Sequence, residues 1–565
     1  MKPVLTAKQI REIDQLTTDQ YKIPSLLLME SAAEACLRAI TSHFADDLKN
    51  KRAQVLCGPG NNGGDGAALA RILSNVGVHV DAVLFGSVER LRGDARTNFE
   101  ALKTLASFGA GSRARPAPLV FVECETVGAW EEIAKPRRFY DLIVDGLFGT
   151  GLTRPLDGLF LQVVEHLTMI KEAREAAEGA RPLILAIDIP SGLNADLTDP
   201  IGAAVQADLT VTFTAAKAAN VLPSASGFCG ELIVADIGSP ASLIQAADPQ
   251  VFLSEASDAA DWLKLTQYEP DSYKNSHGHV LVIAGSSGYT GAAALCANAA
   301  MRSGAGLVTA AVPSAAQVAI ASRLMPEVMS IALADTDRGA VSDGAIEHAV
   351  SLAAEATAVA IGPGLTSSDD RTRRFVYEVV SRRSNPVIID ADGLNCLSPW
   401  PKGLRGSNEA PLILTPHVGE MARLVGSSKE AILKDRLAAI RQFAVSHSLF
   451  VVLKGTRAII ATPDGRTFVN PTGNAGLGTA GAGDTLTGLI AGFIAQAFAR
   501  NSTKADAALG TVAALFVGGR AGDLAASKYG LRCMVASDVR EMFGAAVMSL
   551  NPAGEQPPNM ASGTA

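Results

Sequence analysis

Charge is what this sequence has least of. Only 19% of its 565 residues are Asp, Glu, Lys or Arg, against roughly 25% in an ordinary globular chain, while 48% are apolar. That balance excludes a disordered chain or a coiled coil, and the length allows sizeable cores. Aromatic residues are scarce too, at 5%, whereas glycine occupies 53 positions. Little aromatic bulk beside much glycine and alanine argues against an all-β sandwich. It argues for α/β layers joined by tight strand-to-helix turns.

No basic block is present: 49 Lys and Arg stand against 57 Asp and Glu, a net charge of −8 with a pI near 5.6. Nucleic acid and anionic membranes are therefore not expected as partners. The seven cysteines, at 36, 57, 124, 229, 296, 396 and 533, never form a CxxC pair. They predict neither a disulfide framework nor structural zinc, and point to a reducing compartment, the cytoplasm. The opening MKPVLTAKQIREID lacks the apolar core of a signal peptide. Stretches free of charge after His279 and after Arg302 are broken by Gly, Ser, Asn or Pro. Neither reads as a membrane span, which needs ~20 predominantly apolar residues. An alanine-rich apolar surface would suit a homo-oligomer.

What is present is alternation. QVLCGPG (54–60), VHVDAVLFG (78–86), DLIVDGLFG (141–149), PLILAIDIP (182–190), DLTVTFTAAK (208–217) and ELIVADIG (231–238) read as strands. Most are continuous apolar runs, as in a parallel sheet covered on both faces. IREIDQLTTDQ, SLLLMESAAEACLRAI, GAALARILSNVG and LTMIKEAREAAEGA read as helices. Interleaved in this way they predict a doubly wound, Rossmann-like unit over 1–240. The pattern blurs over 241–262, which reads as a linker. A second α/β unit is expected over 263–550, with strands in HVLVIAG, GLVTAAVP, TAVAIGPG, PVIIDADGL, PLILTPHVGE and LFVVLKGT. A hairpin turns around Asp464 and Gly465, and a polar tail over 551–565 reads as disordered.

The most specific motif of the first half is GPGNNGGDG at 58–66, between a strand and a helix. Its glycines permit close backbone approach, and the helix start offers free N–H groups to an anion. A plain turn would need one glycine, not five. Asn61 and Asn62 add carbonyl oxygens suited to a cation or a ribose. No Walker A motif, GxxxxGK[ST], occurs anywhere. Asp145 in VDGLFGTGLTRPLDG and Asp188 in IDIPSGLNAD end two further strands. Ligands of open parallel sheets bind beyond the carboxyl ends of strands, so these loops should converge. An aspartate after a strand is as often an N-cap, but three such loops together weigh against that.

The NNGGDG loop, the Asp145 segment, the DIPSG turn and TFTAAK resemble the epimerase domain of the NAD(P)H-hydrate repair enzymes, over most of 1–238. The resemblance implies interconversion of the R and S forms of NADHX and NADPHX. It also implies substrate contacts at Asn61, Asn62, Gly63, Gly64, Asp65, Gly149, Thr150, Gly151, Leu152, Thr153, Arg154, Pro155 and Asp188. Potassium would be held by Asn62, Asp145 and Ser191. Inversion at a carbinolamine-like carbon can proceed by loss and return of hydroxide, for which Asp188 would be the acid and base.

In the second half, NAGLGTAGAGDTLTGLIAGF (474–493) leads a glycine-rich stretch into an apolar helix. That arrangement makes an anion hole at the helix start. GLGTAG formally fits GxGxxG, but it follows a loop and not a strand, so a dinucleotide fingerprint is not inferred. Asp484, in GAGD, is either an N-cap or a base beside a phosphate. GAGD resembles the ribokinase-like superfamily, whose aspartate activates a hydroxyl for phosphoryl transfer. With 278–308, AIGPGL, TPHVGEMARL and LKGT, the match over 270–545 narrows to the ADP-dependent NAD(P)H-hydrate dehydratases. LKGTRAI carries Thr456 where that family more often has alanine. The resemblance implies that Gly364, His417, Val418, Gly419, Glu420 and Asp484 contact the hydrate. It gives Lys454, Gly455, Thr456, Arg457, Ala458, Asn474, Gly476, Gly478, Thr479, Gly481, Ala482 and Gly483 to ADP or ATP, with Mg2+. Asp390 and Asp392 could bind metal or be structural, and are left unassigned.

The residues thus predict a fused enzyme that epimerises the hydrates and dehydrates the S form. The rival reading is a vitamin-precursor kinase fused to a nucleotide-binding domain. That alternative leaves the NNGGDG half unexplained. A non-catalytic nucleotide-sensing first half is disfavoured by the intact Asn62, Asp145 and Asp188.

Overall fold

The computed structural model describes residues 1–109, 119–135, 139–176, 182–499 and 506–550. The tail expected over 551–565 and the end of LTMIKEAREAAEGA lie outside the described residues. The chain divides into two units, Lys2–Pro249 and Gln250–Ala565, the latter with Met1.

In the first unit the strands are β1 (Arg52–Cys57), β2 (His79–Leu84), β3 (Leu119–Glu123), β4 (Leu142–Gly146), β5 (Leu183–Ile187), β6 (Leu209–Phe213) and β7 (Glu231–Ala235). They form a seven-stranded sheet in the order β3-β2-β1-β4-β5-β6-β7, and every pairing is parallel. This is the doubly wound arrangement expected, with its topological switch between β1 and β4. The helices that matter for the site are α1 (Ala7–Asp19), α2 (Ser25–His43), α3 (Asn61–Asn75) and α4 (Gly158–Ala176). One sheet face packs with α2 and α3 through Cys36, Leu69, Leu73 and Val144. The other packs with α4 through Ile143, Val163 and Ile184. Both faces are dry, which is why the strands read as continuous apolar runs. β3 went unrecognised because its side chains alternate between half-buried and exposed at the sheet edge.

The second unit has β8 (Val251–Leu253), β9 (His279–Ile283), β10 (Leu307–Pro313), β11 (Met329–Leu333), β12 (Ala358–Ile361), β13 (Val387–Ile389), β14 (Leu412–Leu414), β15 (Phe450–Leu453), β16 (Ile459–Ala461) and β17 (Thr467–Val469). Their order is β8-β17-β16-β15-β14-β13-β12-β9-β10-β11. Pairing is parallel except for the β15–β16 and β16–β17 ladders, which contain the expected hairpin. The helices used below are α5 (Thr290–Arg302), α6 (Val418–Val425), α7 (Ala482–Ala499) and α8 (Ala507–Tyr529).

The stretch 241–262 is not an irregular connection. It carries a helix at Ala241–Ala246, strand β8 and the start of the helix Ala256–Leu265. β8 pairs with β17 and so belongs to the second sheet. Each piece is too short for hydrophobic periodicity to register.

α7 is the one described helix long and apolar enough to cross a membrane. Its apolarity is spent on packing: Leu489, Ile490, Phe493 and Ile494 are all in the core. Gly488 brings α7 so close to α5 that a Cβ there would lie 2.1 Å from the carbonyl oxygen of Cys296. Two helix backbones must part to admit that methyl group. Overpacking of this kind costs about 1–3 kcal/mol, more than alanine's helix-propensity gain of about 1 kcal/mol. Gly488→Ala is therefore expected to lower the melting temperature by a few degrees, read by calorimetry.

Candidate functional sites

The switch point of the first unit gathers the predicted residues. α3 begins at Asn61 itself, so Asn61, Asn62, Gly63, Gly64 and Asp65 occupy its first turns and are not an open loop. The glycines are there for contact: a Cβ on Gly63 would lie 1.8 Å from the Gly58 carbonyl oxygen, and one on Gly64 2.9 Å from Ala95 Cα. Asp145, at the end of β4, is fully buried. Its Oδ1 accepts from Ser191 Oγ at 2.6 Å, and its Oδ2 accepts from the Ser191 N–H at 2.8 Å. Burial pushes the Asp145 carboxyl up to about 6, although the Ser191 hydrogen bonds oppose this. The side-chain nitrogen of Asn62 is buried without a hydrogen-bond partner among the described residues.

Asp188 follows β5 in a left-handed conformation, φ 66°, that few non-glycine residues adopt. Its Oδ1 accepts from Lys217 Nζ at 2.6 Å and Thr212 Oγ1 at 3.0 Å. A Cβ on Gly149 would sit 3.2 Å from Asp188 Oδ2 and 3.1 Å from Asn62 Oδ1. Gly149 thus lies against both side chains, with no room there for a side chain of its own. Beyond it, Gly151, Thr153, Arg154 and Pro155 are exposed and Thr150 is half-buried. Leu152 instead points into the core, so only its backbone is available to a ligand. Two more acids face this place. Burial, reinforced by Asp188 and Asp14, holds the Asp65 carboxyl well above the usual range. Burial pushes Asp14 of α1 up to about 6, opposed by Lys217.

In the second unit the strand order reverses between β9 and β12. Gly364, φ 66°, sits there, and a Cβ on it would meet Tyr289 Cβ at 2.8 Å. His417 is the N-cap of α6: its Nδ1 accepts from the N–H groups of Gly419 and Glu420 at 2.9 and 3.2 Å. Glu420 Oε2 reciprocates by accepting the His417 N–H at 2.8 Å. His417 therefore has a structural job, and its Nε2 lies 3.5 Å from Glu420 Oε1. Val418 lies in the same first helical turn.

Lys454, just after β15, joins these elements. Its Nζ donates to Asp390 Oδ1 at 2.6 Å and lies 4.0 Å from Glu420 Oε2. A Cβ on Gly483 would be 3.3 Å from that Nζ, so the ammonium faces the N-terminus of α7. Burial opposes the lysine's charge, but Asp390 and Glu420 outweigh it and keep the ammonium above its usual range. Asp390 Oδ2 accepts from Thr487 Oγ1 at 2.7 Å, so both its oxygens are engaged. Asp392 accepts the Thr366 N–H at 3.1 Å and ties this turn to the Gly364 loop.

A cavity of 650 Å³ opens beside α7. It is lined by Lys454, Gly455, Thr456, Arg457, Ala458, Asn474, Gly478, Ala482 and Gly483 from the predicted nucleotide set. Gly476, Thr479 and Gly481 are not on its wall. Gly476 and Gly481 instead make room for Met534 and Leu295. Asn474 holds its own turn, accepting from the Gly476 N–H and donating to Asp523 Oδ1.

Some important groups were not singled out. Lys217 and Thr212 lay inside TFTAAK and Thr487 inside the 474–493 motif, but none was given a role. Asp14, in an ordinary amphipathic helix, and Asp523 had no motif to announce them.

Each unit thus ends its parallel strands in a crevice holding several carboxyl groups and one lysine. That defines a two-unit α/β protein with a separate acid-bearing site in each unit. A family model described as YjeF-related protein N-terminus matches residues 25–219, and one described as NAD(P)H-hydrate dehydratase matches residues 280–543. The chain is 39% identical over 542 residues to a bifunctional NAD(P)H-hydrate repair enzyme of Moorella thermoacetica, covering 96% of both chains. To that of Escherichia coli K12 it is 30% identical over 533 residues, 94% of this chain and 92% of the relative. An ADP/ATP-dependent NAD(P)H-hydrate dehydratase from Bacillus subtilis, co-crystallised with ATP and Mg2+, aligns with TM-score 0.45 and 27% identity, over 53% of this chain and 99% of its own. The chain belongs to the family of bifunctional NAD(P)H-hydrate repair enzymes, with an epimerase unit and a dehydratase unit.

Asp484 offers a direct physical check on the second site. Burial, with Asp390 adding to it, pushes its carboxyl up to about 7, opposed by Lys454. An unfolded aspartate titrates near 3.9. The folded state therefore keeps a proton that the unfolded state gives up, and stability falls as pH rises from about 4 to about 7. Asp484→Asn removes this penalty. Its melting temperature should match the parent near pH 4 and exceed it increasingly up to pH 7, with a constant gap above.

Proposed function

We propose that the chain epimerises the R and S hydrates of NADH and NADPH at the first site and dehydrates the S form at the second, at the expense of ADP or ATP. The carrying observation is the placement of Asp484. It combines a carboxyl pushed up to about 7 with a position beside Lys454 and the start of α7. A base with that affinity can take the hydroxyl proton of the hydrate at neutral pH. Hydroxide is a poor leaving group, and transfer of a nucleotide phosphoryl group onto that oxygen makes a good one. Lys454 and the N–H groups of 481–484 would offset the charge on the phosphoryl group in flight. His417 Nε2, Glu420, Val418, Gly419 and Gly364 would orient the hydrate. Gly476, Thr479 and Gly481 would act by shaping the nucleotide loop.

At the first site Asp188 would be the acid and base for loss and return of hydroxide, beside Gly149. The substrate would lie along Asn61, Asn62, Gly63, Gly64, Asp65 and the 149–155 segment. Asn62, Asp145 and Ser191 would hold the potassium ion: Asp145 is buried with no ion pair among the described residues, and Ser191 Oγ lies 2.6 Å from it. Bound there, the ion would supply the positive charge Asp145 lacks. Mg2+ would come with the nucleotide phosphates, since the described residues hold no cluster of three His, Cys, Asp or Glu that could bind a metal. The seven free cysteines favour the cytoplasm.

A mixture of R and S NADHX with ADP or ATP should be recovered entirely as dihydronicotinamide absorbance. Recovery of half would mean a silent first site, and consumption of neither epimer with either nucleotide would overturn the reading. Asp484→Asn should abolish dehydration while epimer interconversion continues. Simultaneous loss of both would contradict two independent sites.

A further inference from the structure

Lys217 is the least exposed charged side chain near Asp188, 1% accessible. Its ammonium has three donors, and all three are used. They reach Asp188 Oδ1 at 2.6 Å, Thr212 Oγ1 at 2.8 Å and the Phe213 carbonyl oxygen at 3.1 Å. Thr212 accepts from the lysine and donates to the same Asp188 oxygen at 3.0 Å. Asn220 ties the two main chains together: its Oδ1 accepts the Lys217 N–H at 2.9 Å, and its Nδ2 donates to the Asp188 carbonyl oxygen at 3.4 Å. The Asp188 N–H is fixed on the Val211 carbonyl oxygen at 2.8 Å. Backbone and one carboxylate oxygen are therefore both clamped.

The other oxygen is not. Oδ2 has no hydrogen-bond partner among the described residues and lies beside Gly149, as does Asn62 Oδ1. We propose that Lys217 is a positioning residue of the epimerisation: with Thr212 it fixes Asp188 Oδ1, so that Oδ2 alone is presented to the substrate. This rests on the role given to Asp188 above. A buried ion pair with a purely structural function would have no reason to leave one oxygen free beside a residue that lacks a side chain.

The test uses the full chain with NADHX epimers, measuring kcat and KM for epimerisation in Lys217→Met, Thr212→Val, Asp188→Asn and the Asp188→Asn/Lys217→Met pair. A catalytic group freed to turn by about an ångström loses on the order of 10²-fold in rate. Lys217→Met should thus lower kcat about 10²-fold with KM within about threefold, and Thr212→Val should lower kcat about fivefold to tenfold. On the Asp188→Asn background the lysine substitution should cost nothing more, because the two residues act as one unit. Parental kcat in Lys217→Met, or a further loss in the paired variant, overturns the proposal. If Lys217→Met does not fold, Thr212→Val decides: parental kcat there overturns it equally. Full activity of Asp188→Asn would instead remove the assignment of the base itself. An inactive Asp188→Asn beside a fully active Lys217→Met removes only the positioning role.

Discussion

In each site a single largely buried lysine among the described residues has to answer for several carboxyl groups, and much of the site electrostatics follows from that shortage of positive charge. Lys217 is paired with Asp188, leaving Asp14 and Asp65 without an ion pair among the described residues. Lys454 is paired with Asp390 and shared at longer range with Glu420, leaving Asp484 exposed to the repulsion of Asp390. A carboxyl that burial desolvates and no cation compensates holds its proton to higher pH. The uncompensated acids are thereby set apart from the paired ones without any change in residue type.

The sheets make such a shortage tolerable by confining it. In both units the acids stand at the carboxyl ends of parallel strands, close to where the strand order reverses and a crevice opens. Below them the strands are dry on both faces, and helix contacts are made by glycine and alanine. α5 and α7 meet through Gly488, Ala299 and Cys296. The low proportion of charge in the chain is the other side of this arrangement. Large cores take up alanine, and most of the buried ionisable groups among the described residues gather at the two sites.

The layered architecture was legible because it is written in long apolar runs. The doubly wound first sheet and most strands of the second come directly from runs such as 182–190 and 279–285. The misses were short or lay at edges: β3 with one face open, β8 of three residues, β11 at the edge of the second sheet, and the 241–262 stretch. Site residues were legible where chemistry forces a local pattern, as glycine does around Asn62 and Asp484. They were illegible where a side chain acts across the sheet. Thr487 meets Asp390 from 97 positions away and Lys217 meets Asp188 from 29, separations that no spacing rule encodes. The glycine stretch of 474–483 was read too uniformly. Gly478 and Gly483 line the cavity, while Gly476 and Gly481 yield space to neighbouring side chains.

The clamped carboxylate of Asp188 also bears on stereochemistry. Exchanging R for S requires a hydroxyl to leave one face of a flat ring and another oxygen to arrive on the opposite face. A carboxylate with one oxygen tied down and its main chain fixed cannot swing across the ring to serve both sides. With Asp188 as the proposed acid and base, the half-reactions would be inequivalent, one under direct proton transfer from Oδ2 and the other reached through a water or by turning the nicotinamide over. On that reading the traffic would belong to the ligand and not to the protein.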